Sequence, residues 1–196
     1  ISHTAGIAAY SIGEINNCSF TGAIVNTTYY IAYAGGIVAE NEGSVFDCVN
    51  YGSLNIKTTN QSIYSGGVIG RHTTEDNTVK ISGCYNEGTI TGISETYGYS
   101  GGIIGNITGG ILSDCYNIGD ASIDSDSGGG YSGGIAGFIN RDTLVTRSTN
   151  KDCNIVAKSS ADAYGGGIVG QSYGNISDCC SIGATITSNA YYYRAH

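Results

Sequence analysis

The heptapeptide "YSGGIIG" at residues 99–105 has near-copies at 64–70 ("YSGGVIG"), 131–137 ("YSGGIAG") and 164–170 ("YGGGIVG"). A chain that repeats one phrase about every thirty residues builds its fold by stacking a unit on its own copies, each touching only its neighbours. Aligning on the double glycine places Tyr33, Tyr64, Tyr99, Tyr131 and Tyr164 in one column, with His3 before them and Tyr193 after. The second glycines, Gly36, Gly67, Gly102, Gly134 and Gly167, form the next column, and Ile37, Val68, Ile103, Ile135 and Ile168 follow them.

Every copy carries a second block, such as "VFDCVNYG" at 45–52, "ISGCYNEG" at 81–88 and "LSDCYNIG" at 112–119. It supplies a thiol column, Cys18, Cys48, Cys84, Cys115 and Cys179, with Ser148 standing in the fifth copy. Two residues later comes an amide column, Asn50, Asn86, Asn117 and Asn150. A third apolar patch, such as "GTITGI" at 88–93, closes each copy.

Cutting at the tyrosine column gives units 3–32, 33–63, 64–98, 99–130, 131–163 and 164–192, of 30, 31, 35, 32, 33 and 29 residues, with a partial repeat at 193–196. Each unit holds three short runs rich in Ile, Val, Thr and Tyr, punctuated by Gly, Asn, Asp and Ser, and none shows a 3.6-residue period. Helical and leucine-rich repeats are therefore disfavoured, and a propeller blade needs four strands and about 40 residues. The expected fold is all-β: one repeat domain over 1–196, a parallel β-solenoid (β-helix) of six coils. Its expected hand is right, the hand that parallel β connections take. At roughly 4.8 Å per coil, six coils span about 29 Å. In such a stack each column packs on itself. Aliphatic columns fill the tube, stacked amides hydrogen-bond from coil to coil, and the small glycine pair lets the chain turn and strands approach.

Composition narrows the partners. Glycine accounts for 32 residues without a three-residue period, which excludes collagen, while 40% apolar and only 12% charged residues argue against disorder. Eight basic residues scattered in a chain of net charge −8 cannot form the positive stripe that nucleic acid requires. No apolar run reaches the roughly 18 residues of a membrane-spanning helix. Without an initiator Met or a visible signal peptide, the chain reads as a piece of a longer one.

The pattern Gly-Gly-Ile/Val-Ile/Val-Gly, followed by Ile-x-x-Cys-x-Asn-x-Gly, resembles the GLUG-motif repeats of bacterial surface proteins, over nearly the whole chain. Those repeats occur in secreted adhesin-like proteins and in the non-catalytic parts of IgA-specific metalloendopeptidases. The resemblance implies a β-solenoid scaffold and an extracellular or cell-surface location, and it carries over no catalytic residue. The fifth copy departs from it, with Ser148 for Cys and "NKDCN" at 150–154 for Asn-x-Gly; a distorted turn or a local insertion is expected there.

Several groups could carry chemistry. The thiols follow the repeat period rather than a CxxC clip, so a buried reduced ladder is expected, with a Cys153–Cys180 bridge as the alternative. The tyrosine column is either an inter-coil ladder or a platform for a glycan or protein ligand. Asp47, Asp114 and Asp178, and the loop bearing Asp120, Asp124 and Asp126, are hard oxygen ligands that could hold calcium, though solvated turns are the plainer reading. "RHTTED" at 71–76 is the best local candidate for acid–base work. No cofactor or metal is called for, and the leading expectation is a non-enzymatic rigid stalk or interaction module that binds a protein or glycan. The alternatives are a fibre subunit stacking on copies of itself, a carbohydrate-active or carbohydrate-binding β-helix, and an ice binder built on threonine columns such as Thr91 and Thr187.

Overall fold

The computed structural model describes residues 1–191; the Tyr193 position and the partial repeat 193–196 lie outside the described residues. Thirty short strands form five six-stranded sheets, and every pairing is parallel. Each strand pairs with the equivalent strand one coil away, which makes the molecule a parallel β-solenoid of six coils. The fourth coil shows the plan: Gly98–Gly101, Ile104–Thr108, Gly110–Ser113, Tyr116–Asn117 and Ala121–Ser125 contribute one strand each to the first through fifth sheets.

Five strands replace the three runs expected from sequence because two runs are broken by corners. The first break is the double glycine, which separates the first sheet from the second. The second falls just before the thiol column, between the third and fourth sheets. There Asn17, Asp47, Gly83, Asp114, Arg147 and Asp178 all take positive φ, between 46° and 66°. Asn, Asp and Gly tolerate this left-handed conformation best, which accounts for the recurring Asp before Cys. Gly83 has a further reason to lack a side chain, since a Cβ there would strike the Asp47 carboxylate of the coil below.

The interior holds two large clusters beside a small third one of Ala121, Cys153 and Ile155. One, lined by the second and third sheets, holds Ile37, Val68, Ile103, Ile135, Val45, Ile81 and Leu112; the other, between the first and fifth, holds Leu54, Ile56, Ile63, Ile90 and Ile123. Their boundary is a waist where the glycine corner faces the amide column. A Cβ on Gly36 would lie 2.5 Å from Cγ of Asn50, and Gly67, Gly102 and Gly134 stand in the same relation to Asn86, Asn117 and Asn150. The second glycine of each of these pairs is therefore fixed by the amide it faces together with the carbonyl of the equivalent glycine one coil on, which the same Cβ would also strike. None of these corner glycines has a positive φ, so conformational freedom is not the reason.

The amides form a directional chain through that waist. Asn50 Nδ2 donates to Asn86 Oδ1 at 2.7 Å, Asn86 to Asn117 at 2.7 Å and Asn117 to Asn150 at 2.8 Å. Each of the first three also closes its own turn, donating to the carbonyl two residues on and accepting from that residue's N–H. All four are fully buried. Phe20 holds this position in the first coil and packs against both clusters. At the other end Asn150 Nδ2 has no partner, because Ser181 follows it and the turn has changed. Between Asn117 and its register-mate Asn150 on one side, and Ala121 and its mate Ile155 on the other, the fifth coil carries one residue more than the fourth. Asp152 takes φ 50° to accommodate it, and Gly183 repeats the device in the sixth coil. The insertion expected at "NKDCN" is thus a turn with one added residue.

Candidate functional site: the aromatic groove

The glycine corner points into the tube, so the outer faces of the first and second sheets fold toward each other and leave a concave groove outside. The tyrosine column lines one wall. Tyr64, Tyr99, Tyr131 and Tyr164 stack with centroids 4.8, 4.9 and 5.2 Å apart and planes within 16°. Tyr33 meets Tyr64 edge-on at 5.1 Å, and His3 meets Tyr33 in the same way. The opposite wall is the column four residues past the second glycine: Tyr10, Glu40, Arg71, Asn106, Phe138 and Gln171.

At the first-coil end the groove is ionic. His3 Nε2 lies 2.8 Å from Glu40, which also pairs with Arg71 at 3.3 Å. Arg71 Nη1 donates to the Tyr33 hydroxyl at 2.9 Å, and its guanidinium lies over the Tyr33 and Tyr64 rings, 5.4 and 5.9 Å from their centroids. Toward the sixth coil the groove is aromatic, with Phe138 edge-on to Tyr99, Tyr131 and Tyr173. Burial, followed by the adjacent phenols, pushes Tyr99 well above the ordinary tyrosine range, and burial raises Tyr64 and Tyr131 too. These are neutral hydroxyls that donate as well as accept.

The stacking decides what the column offers. Inner rungs cover each other's faces and present edges and hydroxyls to the groove; among the described residues Tyr164, 37% exposed, is the last ring of the stack on the sixth-coil side. A sugar ring therefore has no free ring face on Tyr99 or Tyr131 to lie against. Inter-coil packing is the first role of the ladder, with a contribution of some tenths of a kcal/mol to about 1 kcal/mol per pair.

The other candidates disperse. All seven cysteines are free thiols, so Cys153 and Cys180 are not bridged: Cys153 is buried and Cys180 exposed. In the thiol column each S–H donates to the carbonyl two residues back, as Cys48 does to Phe46 at 3.1 Å and Cys115 to Ser113 at 3.2 Å. Ser148 makes the same bond to Thr146 at 3.0 Å, which is why it can replace Cys. Burial pushes Cys48 up to about 11. Within "RHTTED" the chain sends Arg71 out to the groove, His72 into the core and Asp76 onto an exposed turn closed by Thr78, so no acid–base pair forms. His72 is fully buried, its Nδ1 3.0 Å from Asn41 Nδ2 and its Nε2 unpartnered; burial lowers it to about 4. Asp114 is held by both arms of Arg147, and Asp120 by Asn154. Among the described residues no three His, Cys, Asp or Glu side chains converge on a metal-sized site. The threonine columns are broken, since Thr91 and Thr187 are separated by Ser122 and Val156.

Sequence reasoning found the tyrosine wall and missed the wall facing it. The six residues of that wall share a phase but no chemistry, so only their fixed distance from the glycine pair marks them. No family model matches the chain, and neither a curated protein nor a solved structure matches it. Among the described residues no helix is long and apolar enough to cross a membrane.

Proposed function

We propose that this chain is a non-enzymatic structural module, a rigid β-solenoid segment of a secreted or cell-surface bacterial protein whose groove serves as an interaction surface for a protein or glycan. The observation that supports this most is continuity. The amide chain joins the second through fifth coils and the tyrosine stack the third through sixth in one register, so bending between the third and fifth coils would break contacts in both columns at once. Among the described residues, the acidic and basic side chains clustered in the groove, His3, Glu40 and Arg71, are engaged with one another and with Tyr33. Likeness to GLUG-motif repeats supports the surface location. The test is accessibility: antibodies against the outer face should label intact, unpermeabilised cells that make the protein. Labelling that needs permeabilisation overturns the reading.

A further inference from the structure

Cys18, Cys48, Cys84 and Cys115 hold the same position in four successive coils, and backbone bonds tie each of the first three to the coil that follows. Val49 N–H donates to Cys18 O, Tyr85 N–H to Cys48 O and Tyr116 N–H to Cys84 O, each at 2.9 Å. One hydrogen bond also fixes all four sulfurs in one direction, since each S–H donates to the carbonyl two residues back, over 3.1 to 3.5 Å. Sulfurs that share a register and a direction repeat at the coil spacing, about 4.8 Å. That is more than twice the roughly 2.0 Å of a disulfide, so neighbouring thiols are not poised to join one another. It is close to twice a metal–thiolate bond of about 2.3 Å, so the point midway between two sulfurs of adjacent coils lies at bonding distance from both. Cys48, Cys84 and Cys115 are at most 2% exposed, so water does not compete for that point. Among the described residues no third His, Cys, Asp or Glu converges on it, which excludes the tetrahedral arrangement of zinc.

We infer that the thiol column is a binding site for a soft monovalent cation of the copper(I) type, held linearly between the sulfurs of adjacent coils. Thiolate is the ligand such cations select. Each cation replaces two thiol protons, which pass to solvent, and forms two sulfur–metal bonds without a change of oxidation state. The unit keeps one net negative charge, which burial opposes, so uptake should strengthen as pH rises. Four consecutive thiols make two such pairs, Cys18 with Cys48 and Cys84 with Cys115. Ser148 ends the run, and it separates Cys179 from the other thiols of the column. Cys153 stands apart, its sulfur 3.0 Å from Asn150 Oδ1.

The experiment varies adjacency at a constant number of thiols. The parent is the whole chain with Cys179→Ser and Cys180→Ser, which removes the vicinal pair. Because the column is buried, the chain is refolded anaerobically with copper(I), stripped of loosely held metal by the competitor bicinchoninate, and its copper counted by elemental analysis. The parent should keep two copper(I) per chain. Adding Cys18→Ser and Cys48→Ser leaves Cys84 beside Cys115 and should keep one. Adding Cys48→Ser and Cys115→Ser leaves Cys18 and Cys84 two coils apart and should keep none. Serine fits this column, since Ser148 makes the same bond to Thr146 O, so circular dichroism should not change. A parent that keeps no copper overturns the inference, as does an alternating variant that keeps as much as the paired one.

Discussion

Asn117 gives the amide chain its sharpest test. Its side chain donates to Gly119 O at 2.8 Å and to Asn150 Oδ1 at 2.8 Å, and accepts from Gly119 N at 3.1 Å and from Asn86 Nδ2 at 2.7 Å. The residue is fully buried, so water cannot replace any of the four. At about 1 kcal/mol net per bond, Asn117→Ala should cost about 4 kcal/mol, before any cavity is counted. That is a large fraction of the roughly 5–15 kcal/mol that holds a domain together. The control is Asn55→Ala, at an exposed position on the fifth sheet, expected within about 0.5 kcal/mol of wild type. Urea unfolding followed by far-ultraviolet circular dichroism measures both. Asn117→Asp adds a second reading. At neutral pH its carboxylate faces two oxygens that were accepting N–H, so its defect should exceed that of alanine; protonation restores one donor, and the excess should shrink in acid. A loss below about 1 kcal/mol for Asn117→Ala, or no pH dependence for the aspartate, would mean that the waist is held by its glycine packing and not by the amides.

Three further outcomes follow from the same geometry. Gly102→Ala places a Cβ against both Asn117 and the Gly134 carbonyl, so its stability loss should exceed about 3 kcal/mol in the same urea assay. His72 has its folded pKa depressed to about 4 from an ordinary 6.5, so the unfolded chain binds its proton more readily and stability falls as pH drops through that window. The effect is about 3 kcal/mol, and His72→Ile, which matches Ile107 and Ile139 in its column, should remove it when the two unfolding curves are compared at pH 7 and pH 4. A thiol reagent should modify Cys180 promptly in the native protein and reach Cys48, Cys84, Cys115 and Cys153 only on unfolding, by mass spectrometric counting.

The coil number and the columns were legible in the sequence because stacking forces like onto like, and repetition needs no knowledge of where a side chain points. The corners were not. Asp47 and Asp114 read as possible calcium ligands because their left-handed backbone leaves no mark beyond a preference for Asp, Asn and Gly, and Arg147 occupies the same conformation. The glycine pair was legible as a turn, but the amide that its second glycine faces across the tube lies 14 to 19 positions further along the chain and becomes a neighbour only on closure. The ionic end of the groove was hidden for a related reason: Glu40, Arg71 and His3 come from three different coils and have no common motif.

The added turn residue at Asp152 has a consequence best put in the language of crystals. An insertion confined to one coil would be a point defect, with strained contacts above and below. Here the next coil inherits it, with Gly183 set against the Asp152 carboxylate of the preceding coil just as Gly83 is set against that of Asp47. The fifth and sixth coils therefore belong to a second lattice grown on the first, and the fault plane between them is where the amide chain spends its last acceptor. A solenoid that tolerates such a plane can change its phrasing partway along without losing its axis.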